Sequence, residues 1–271
     1  MKHRIFSIAS LALASVAAVP LAAQSVVATP TNTQGWGVVD PTDVRGGGSV
    51  AITGAYPENG NGSLQLQMNA SNIGGTAKAA YTDYFAPYGE GYALSTYNSG
   101  SFDWLRSSSS TVQSQFAPTY QLIGQSANGG FTTFVWENVY QTNAAATTDS
   151  WVHVGDMTNQ LFWVSGGHGC GFDGGTQLFM TLANWSNNSC LGASNISAVA
   201  IDIGSGWNGN NSGAATFDGA ADNVNVGFTG GFNKTTNFEV SDSTVPEPSS
   251  IALLGTGLFG LVPMVRRRRK R

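Results

Sequence analysis

Charge is scarce in this 271-residue chain: only 10% of its residues are Asp, Glu, Lys or Arg. Positive charge is scarcer still where it would be exposed. Eight of the twelve Lys and Arg residues lie in the first four and last six positions, which leaves Arg45, Lys78, Arg106 and Lys234 for everything between. All sixteen acids fall between Asp40 and Glu247, so that stretch carries a net charge near −12, which the −4 of the whole chain conceals. A body this anionic argues against nucleic acid or acidic lipid as a partner and is compatible with cations.

Catalytic signatures are also missing. There is no Gly-x-Ser-x-Gly, no His-Glu-x-x-His, no phosphate loop and no Glu-x-Asp-x-x-Glu. A glycosidase needs two carboxyls at a set separation, and Glu58, Glu90, Glu137 and Glu239 are isolated from one another. Asp218 and Asp222 are evenly spaced, but Gly219 interrupts them. A hydrolase using Glu137 or Asp222 is therefore the weaker alternative.

Convincing helical periodicity is absent as well. The body, roughly Thr29 to Thr244, has its polar positions dominated by Gly, Asn, Ser and Thr, with short alternating segments between turns. Leu64-Gln65-Leu66-Gln67-Met68 alternates strictly, as a half-buried strand does, and Val50–Thr53 is its expected hairpin partner. Further strands are expected near 79–85, 101–105, 120–123, 131–140, 151–154, 161–164, 178–182, 199–203, 223–228 and 237–240. Twelve short strands joined by turn residues predict an all-β fold, a single antiparallel β-sandwich of jelly-roll type. No linker or repeat divides it.

Long apolar runs occur only at the two ends. Lys2, His3 and Arg4 precede Ile5–Val19, and small residues follow through Ala23. This reads as a signal peptide over residues 1–23, with cleavage after Ala23 or as late as Ala28, and export through the Sec translocon. At the other end, Val245-Pro246-Glu247-Pro248 is stiff and extended. The uncharged stretch 251–265 follows it, and then six consecutive cations at 266–271. At ~1.5 Å per residue that stretch gives about 22 Å of helix against a hydrocarbon core of ~30 Å, short for a permanent span. A short transmembrane helix with transient inner-membrane insertion is therefore expected, accommodated by local bilayer thinning and snorkelling flanks. The basic end stays cytoplasmic by the positive-inside rule.

The VPEP motif, short span and arginine cluster, in that order over 245–271, resemble the PEP-CTERM sorting signal of Gram-negative bacteria. The resemblance implies cleavage near the motif by an exosortase and delivery to the cell surface or extracellular polysaccharide. Pro246, Glu247 and Pro248 would be its recognition residues.

The body resembles exported PEP-CTERM proteins with a lectin-like or carbohydrate-binding-module-like sandwich. The phrases that carry this are Trp36, GNGSLQLQ, FDWLRSSSSTV at 102–112, VWENVY at 135–140, IDIGSGWN at 201–208 and FDGAADNVNVGF at 217–228. Such sandwiches often hold a structural calcium near the terminal strand, which here points to Asp218, Asp222 and Asn223, with Asp40 or Asp43 contributing. Asp and Asn oxygens suit Ca²⁺, and turn chemistry alone also explains them.

Cys170 and Cys190 are an even pair in an exported chain and are expected to form a disulfide. The rival is a zinc site of Cys170 with His168 and Asp173. Trp207, in the loop-like GSGWNGNN, and Trp136, on one strand face with Phe134, are the candidate sugar-stacking residues, although core packing also explains Trp136. Trp36 is expected to pack near the first strand. The leading functional expectation is a non-catalytic surface or matrix protein associated with exopolysaccharide, and the alternative is a true carbohydrate-binding module.

Overall fold

A computed structural model of the chain describes residues 24–70, 76–166, 169–171, 178–207 and 215–241. It is a two-sheet sandwich whose strands are numbered here in chain order. In the first sheet β1 (Gln24–Ala28), β15 (Asn233–Phe238), β14 (Ala215–Phe228), β5 (Ser63–Ala70) and β4 (Gly48–Thr53) follow one another. β8 (Tyr97–Arg106) flanks β14, and β11 (Val152–Val154) lies beyond it. The second sheet runs β12 (Trp163–Ser165), β10 (Phe131–Trp136), β9 (Thr119–Gln125), β13 (Asn195–Gly204), β6 (Lys78–Tyr84) and β2 (Trp36–Gly37). β3 (Val44–Arg45) also pairs with β6, and β7 (Tyr92–Ala93) with β13.

Parity along each strand sends alternate residues into the core. Leu64, Leu66 and Met68 of β5 are buried while Gln65 and Gln67 face outward. On β13, Val199, Ile201 and Ile203 enter the core, whereas Ala198 and Ala200 form a small separate cluster with Ile123. Aromatic rings fill the space between the sheets. Phe102 meets Trp136 edge-on with centroids 5.3 Å apart, and Trp36 meets Phe238 edge-on at 5.1 Å. Each such buried ring contributes roughly 1.5–3 kcal/mol relative to an exposed one. Gly46 and Gly47, both at positive φ, turn the chain from β3 in one sheet to β4 in the other.

Three elements depart from the expectation. The sheets are not wholly antiparallel, because β1 runs parallel to β15; the two strands come from opposite ends of the chain, so no short connection dictates their direction. The same strand extends the sandwich to Gln24, ahead of the expected start at Thr29: Ala28 is buried and its carbonyl accepts the Glu239 N–H at 2.8 Å. Around 178–182 only Met180 bridges, to Phe162, before helix α2 (Leu182–Ser186) begins behind the Thr181 cap. Likewise β10 stops at Trp136, and a single turn, α1 (Val139–Thr142), follows it. The two-residue strands β2, β3 and β7 are too short to alternate and carry no sequence signal.

Cys170 and Cys190 form a disulfide, with Cα atoms 5.7 Å apart. The expected signal peptide, the sorting segment at 245–271 with Pro246, Glu247 and Pro248, and His168 and Asp173 lie outside the described residues.

Candidate functional site

The outward face of the second sheet holds a groove of about 300 Å³, at the small end of ligand-pocket volumes. Its floor is made by short side chains at outward positions: Ala80 and Thr82 on β6, Ala200 on β13 and Thr133 on β10. Larger residues at the same parity form its walls. Tyr84 and Phe131 stand at one end, and Glu137 and Trp163 at the other.

The first end is aromatic. Tyr88 and Phe131 stack with centroids 6.1 Å apart and planes 19° from parallel, and they are 42% and 46% exposed. Tyr84, Val39 and Pro87 line the same shallow depression. Exposed rings in one patch are unusual for a surface away from a binding site, and their faces suit the C–H faces of sugar rings.

The second end is polar. The Glu137 carboxylate accepts the Trp163 indole N–H at 3.0 Å and the Trp207 indole N–H at 3.4 Å. Burial raises its pKa against the opposing effect of these two bonds. Asp202 is only 6% exposed. Its Oδ2 accepts Gln121 Nε2 at 2.9 Å and lies 3.5 Å from Lys78 Nζ, while its Oδ1 has no hydrogen-bond partner. Burial pushes this carboxyl up to about 7, with the Lys78 charge pulling the other way. Lys78 is itself bound by Asp43 at 2.8 Å.

The two sugar-stacking candidates are elsewhere. Trp136 is 2% exposed and faces the core, because outward parity on β10 belongs to Phe131, Thr133 and Val135. Trp207 is 4% exposed: it stacks on Phe116 at 5.1 Å and meets Phe217 edge-on at 5.2 Å. The apolar partners that bury it come from distant loops and strands, which its Gly- and Asn-rich neighbours do not reveal. It touches the groove only through its N–H to Glu137. The groove residues Tyr84, Tyr88, Phe131 and Trp163 went unnoticed, although outward-parity Phe131 and the small outward residues of β6 were a usable signal.

The expected calcium set is divided among separate networks. Asp218 accepts from Tyr56 Oη at 2.7 Å, Gln65 Nε2 at 2.9 Å and Gln67 Nε2 at 3.3 Å. Asp222 Oδ1 accepts the Asn223 and Phe238 backbone N–H groups, both at 2.8 Å. Asn223 donates its amide to Glu58 and Asp103 at 2.6 and 2.8 Å. Asp40 caps the 3-10 turn at Pro41–Asp43, while Asp43 holds Lys78. Donors occupy these oxygens from different directions, Asp222 Oδ2 excepted, and Asp218 stands in a different network from Asp222 and Asn223, so the three do not converge as one calcium site. Among the described residues no group of three or more His, Cys, Asp or Glu is arranged to hold a metal. Glu137 follows directly on β10 of one sheet, whereas Asp222 lies on β14 of the other.

Asn223 occupies a bulge, at φ +50, where β14 changes its neighbour from β5 to β15. Around it lie Asp103, Asp222 and Glu58, with His153 Nδ1 2.5 Å from Asp103 Oδ1. Burial, more than the Glu58 and Glu239 charges, pushes Asp222 up to about 8.

Residues 244–270 match the family model described as the PEP-CTERM protein-sorting motif. The tail is thus the sorting signal of an exported protein of Gram-negative type. No curated protein matches the chain. Among solved structures, it is similar to CBM27-1 of Caldicellulosiruptor saccharolyticus in complex with mannohexaose, at 12% identity and a TM-score of 0.35, covering 70% of this chain and 90% of that one. It is similar to CBM28, a carbohydrate-binding module specific for non-crystalline cellulose, at 13% identity and 0.34, covering 77% and 99%. A third likeness, at 14% identity and 0.34, is to the endo-β-1,4-glucuronan lyase of Trichoderma reesei, covering 72% and 94%.

Proposed function

We propose that this chain is a non-catalytic glycan-binding protein of the bacterial surface or extracellular matrix, delivered through its C-terminal signal. The observation that carries the reading is the groove on the second sheet, with the exposed Tyr88–Phe131 stack at its mouth. The ligand is a polysaccharide chain lying along the strands. Six residues separate Phe131 from Glu137, roughly 20 Å at the rise of a strand, which leaves room for several sugar units. An exosortase would process the tail near Pro246, Glu247 and Pro248, after passage through the Sec translocon and transient insertion in the inner membrane. Removal of the six cations at 266–271 would leave a strongly anionic product.

Affinity electrophoresis through gels containing the producing organism's exopolysaccharide tests the reading. The wild-type protein should be retarded, and Tyr88→Ala with Phe131→Ala should migrate freely while keeping its melting temperature. Free migration of the wild type would refute glycan binding.

A further inference from the structure

The groove has an electrostatic character that narrows its ligand. We infer that it takes a polysaccharide bearing free amino groups, such as a deacetylated hexosamine polymer, with the sugar ammonium received at the Glu137–Asp202 end. This rests on the glycan-binding reading above and adds the substrate class.

The argument begins with what could neutralise the carboxylates. Four Lys and Arg residues lie among the described residues, and two of them are committed elsewhere. Lys234 is buried against Asp83 at 2.8 Å, and Arg106 is buried with its guanidinium on the Phe116, Ser110 and Val112 carbonyls. Lys78 is held between Asp43 and Asp202. Arg45 stands at the Asp43 side, bound to the Thr42 carbonyl and to Ser205 Oγ. Those two cations offset Asp40 and Asp43. Asp202 has a part share of Lys78, at 3.5 Å, and among the described residues no cation is paired with Glu137.

Their other partners are neutral. Glu137 has two indole N–H groups, and Asp202 has one amide, with Oδ1 unpartnered at the groove floor. Asp202 Oδ1 is already closed from solvent, but laying a neutral chain over the half-buried Glu137 carboxylate would strip water from it without compensation, which costs free energy. A uronate chain would add repulsion. An ammonium supplies both the missing charge and donors that a carboxylate accepts strongly. The aromatic end then stacks the sugar rings that no charge selects.

Isothermal titration of the full chain in mild detergent at pH 7 compares a glucosamine hexamer, an N-acetylglucosamine hexamer and polygalacturonate. The glucosamine hexamer should bind about tenfold more tightly than its acetylated form, and the advantage should shrink as salt screens the pairing. Polygalacturonate should not bind. Glu137→Gln or Asp202→Asn should collapse the ratio between the two hexamers. Equal affinity for both hexamers would overturn the amino-sugar inference and leave the glycan face standing, whereas no binding of any oligosaccharide would remove both. Oligolysine binding as tightly, with Tyr88→Ala having no effect on the glucosamine hexamer, would also overturn it, because the contact would then be charge alone.

Discussion

Asp103 and Asp222 are register partners across β8 and β14, so two buried carboxylates sit side by side at the bulge. Such pairs place Cβ atoms only ~5 Å apart, and like charges there repel. Asp222 is fully buried with Oδ2 unpartnered, and burial first, then the Glu58 and Glu239 charges, push its carboxyl up to about 8. Glu58, above the same bulge, is raised by desolvation and by the Asp103 charge.

The pH dependence follows from those raised values. Unfolded carboxyls release their protons near pH 4, while folded Asp202 and Asp222 hold theirs to about 7 and 8. The folded chain therefore binds more protons over that window, and stability falls as pH rises through it. Thermal melts should give a higher Tm at pH 5 than at pH 8.5. Asp222→Asn keeps the acceptor for the Phe238 N–H, places a donor where Oδ2 was unpartnered, and should flatten the upper part of the profile. An unchanged profile would show that Asp222 is not the group titrating.

Truncating Asp222 to Ala should behave in the opposite way. It strands the Asn223 and Phe238 N–H groups in a buried place, a loss of about 1–3 kcal/mol. Denaturant unfolding of the two variants side by side checks the contrast.

Tryptophans and surface rings should separate cleanly. Trp136→Ala and Trp207→Ala empty core volume and should each cost about 3–5 kcal/mol. Tyr88→Ala and Phe131→Ala should cost little stability but abolish retardation by polysaccharide. Binding lost through Trp207→Ala at unchanged stability would reverse this assignment.

Reduction of the Cys170–Cys190 disulfide opens a loop of 20 residues. By the chain-entropy model that destabilises the fold by about 3 kcal/mol. Cys170→Ser with Cys190→Ser should lower Tm in oxidising buffer, and dithiothreitol should have no further effect on the double variant.

The mature N-terminus should be Gln24. Cleavage after Ala28 would remove β1 and expose the β15 edge it covers. N-terminal sequencing of the exported protein decides between the two sites. Deleting 245–271 should likewise change the cellular fraction in which the protein is recovered, and identical fractionation would sink the sorting assignment.

Much of the sandwich was legible because alternation in Leu64–Met68 or Val199–Ile203 is imposed by the strand itself. β1 was hidden by its place directly behind an apolar leader and between the two expected cleavage sites, although Val26 and Val27 are strand formers. α2 was hidden because Leu178–Leu182 is apolar enough to read as a strand. In the site, Glu137 stood out in the sequence only as an isolated acid, weighed for the weaker hydrolase alternative and not for a groove. Asp202 drew no notice, since one acid in an apolar strand says nothing of what lies over it.

The sequence by itself determined the delivery signal, the anionic charge of the body and the period of most strands, because each is a property of neighbouring residues. Tertiary structure alone decided which aromatics are buried and which are presented. Trp207 lies in a Gly-rich loop and is buried because Phe116 and Phe217 close on it; Phe131 begins a hydrophobic strand and is exposed because its parity faces away from the other sheet. Burial is a property of what packs opposite, and a packing partner such as Phe116 for Trp207 comes from a distant part of the chain.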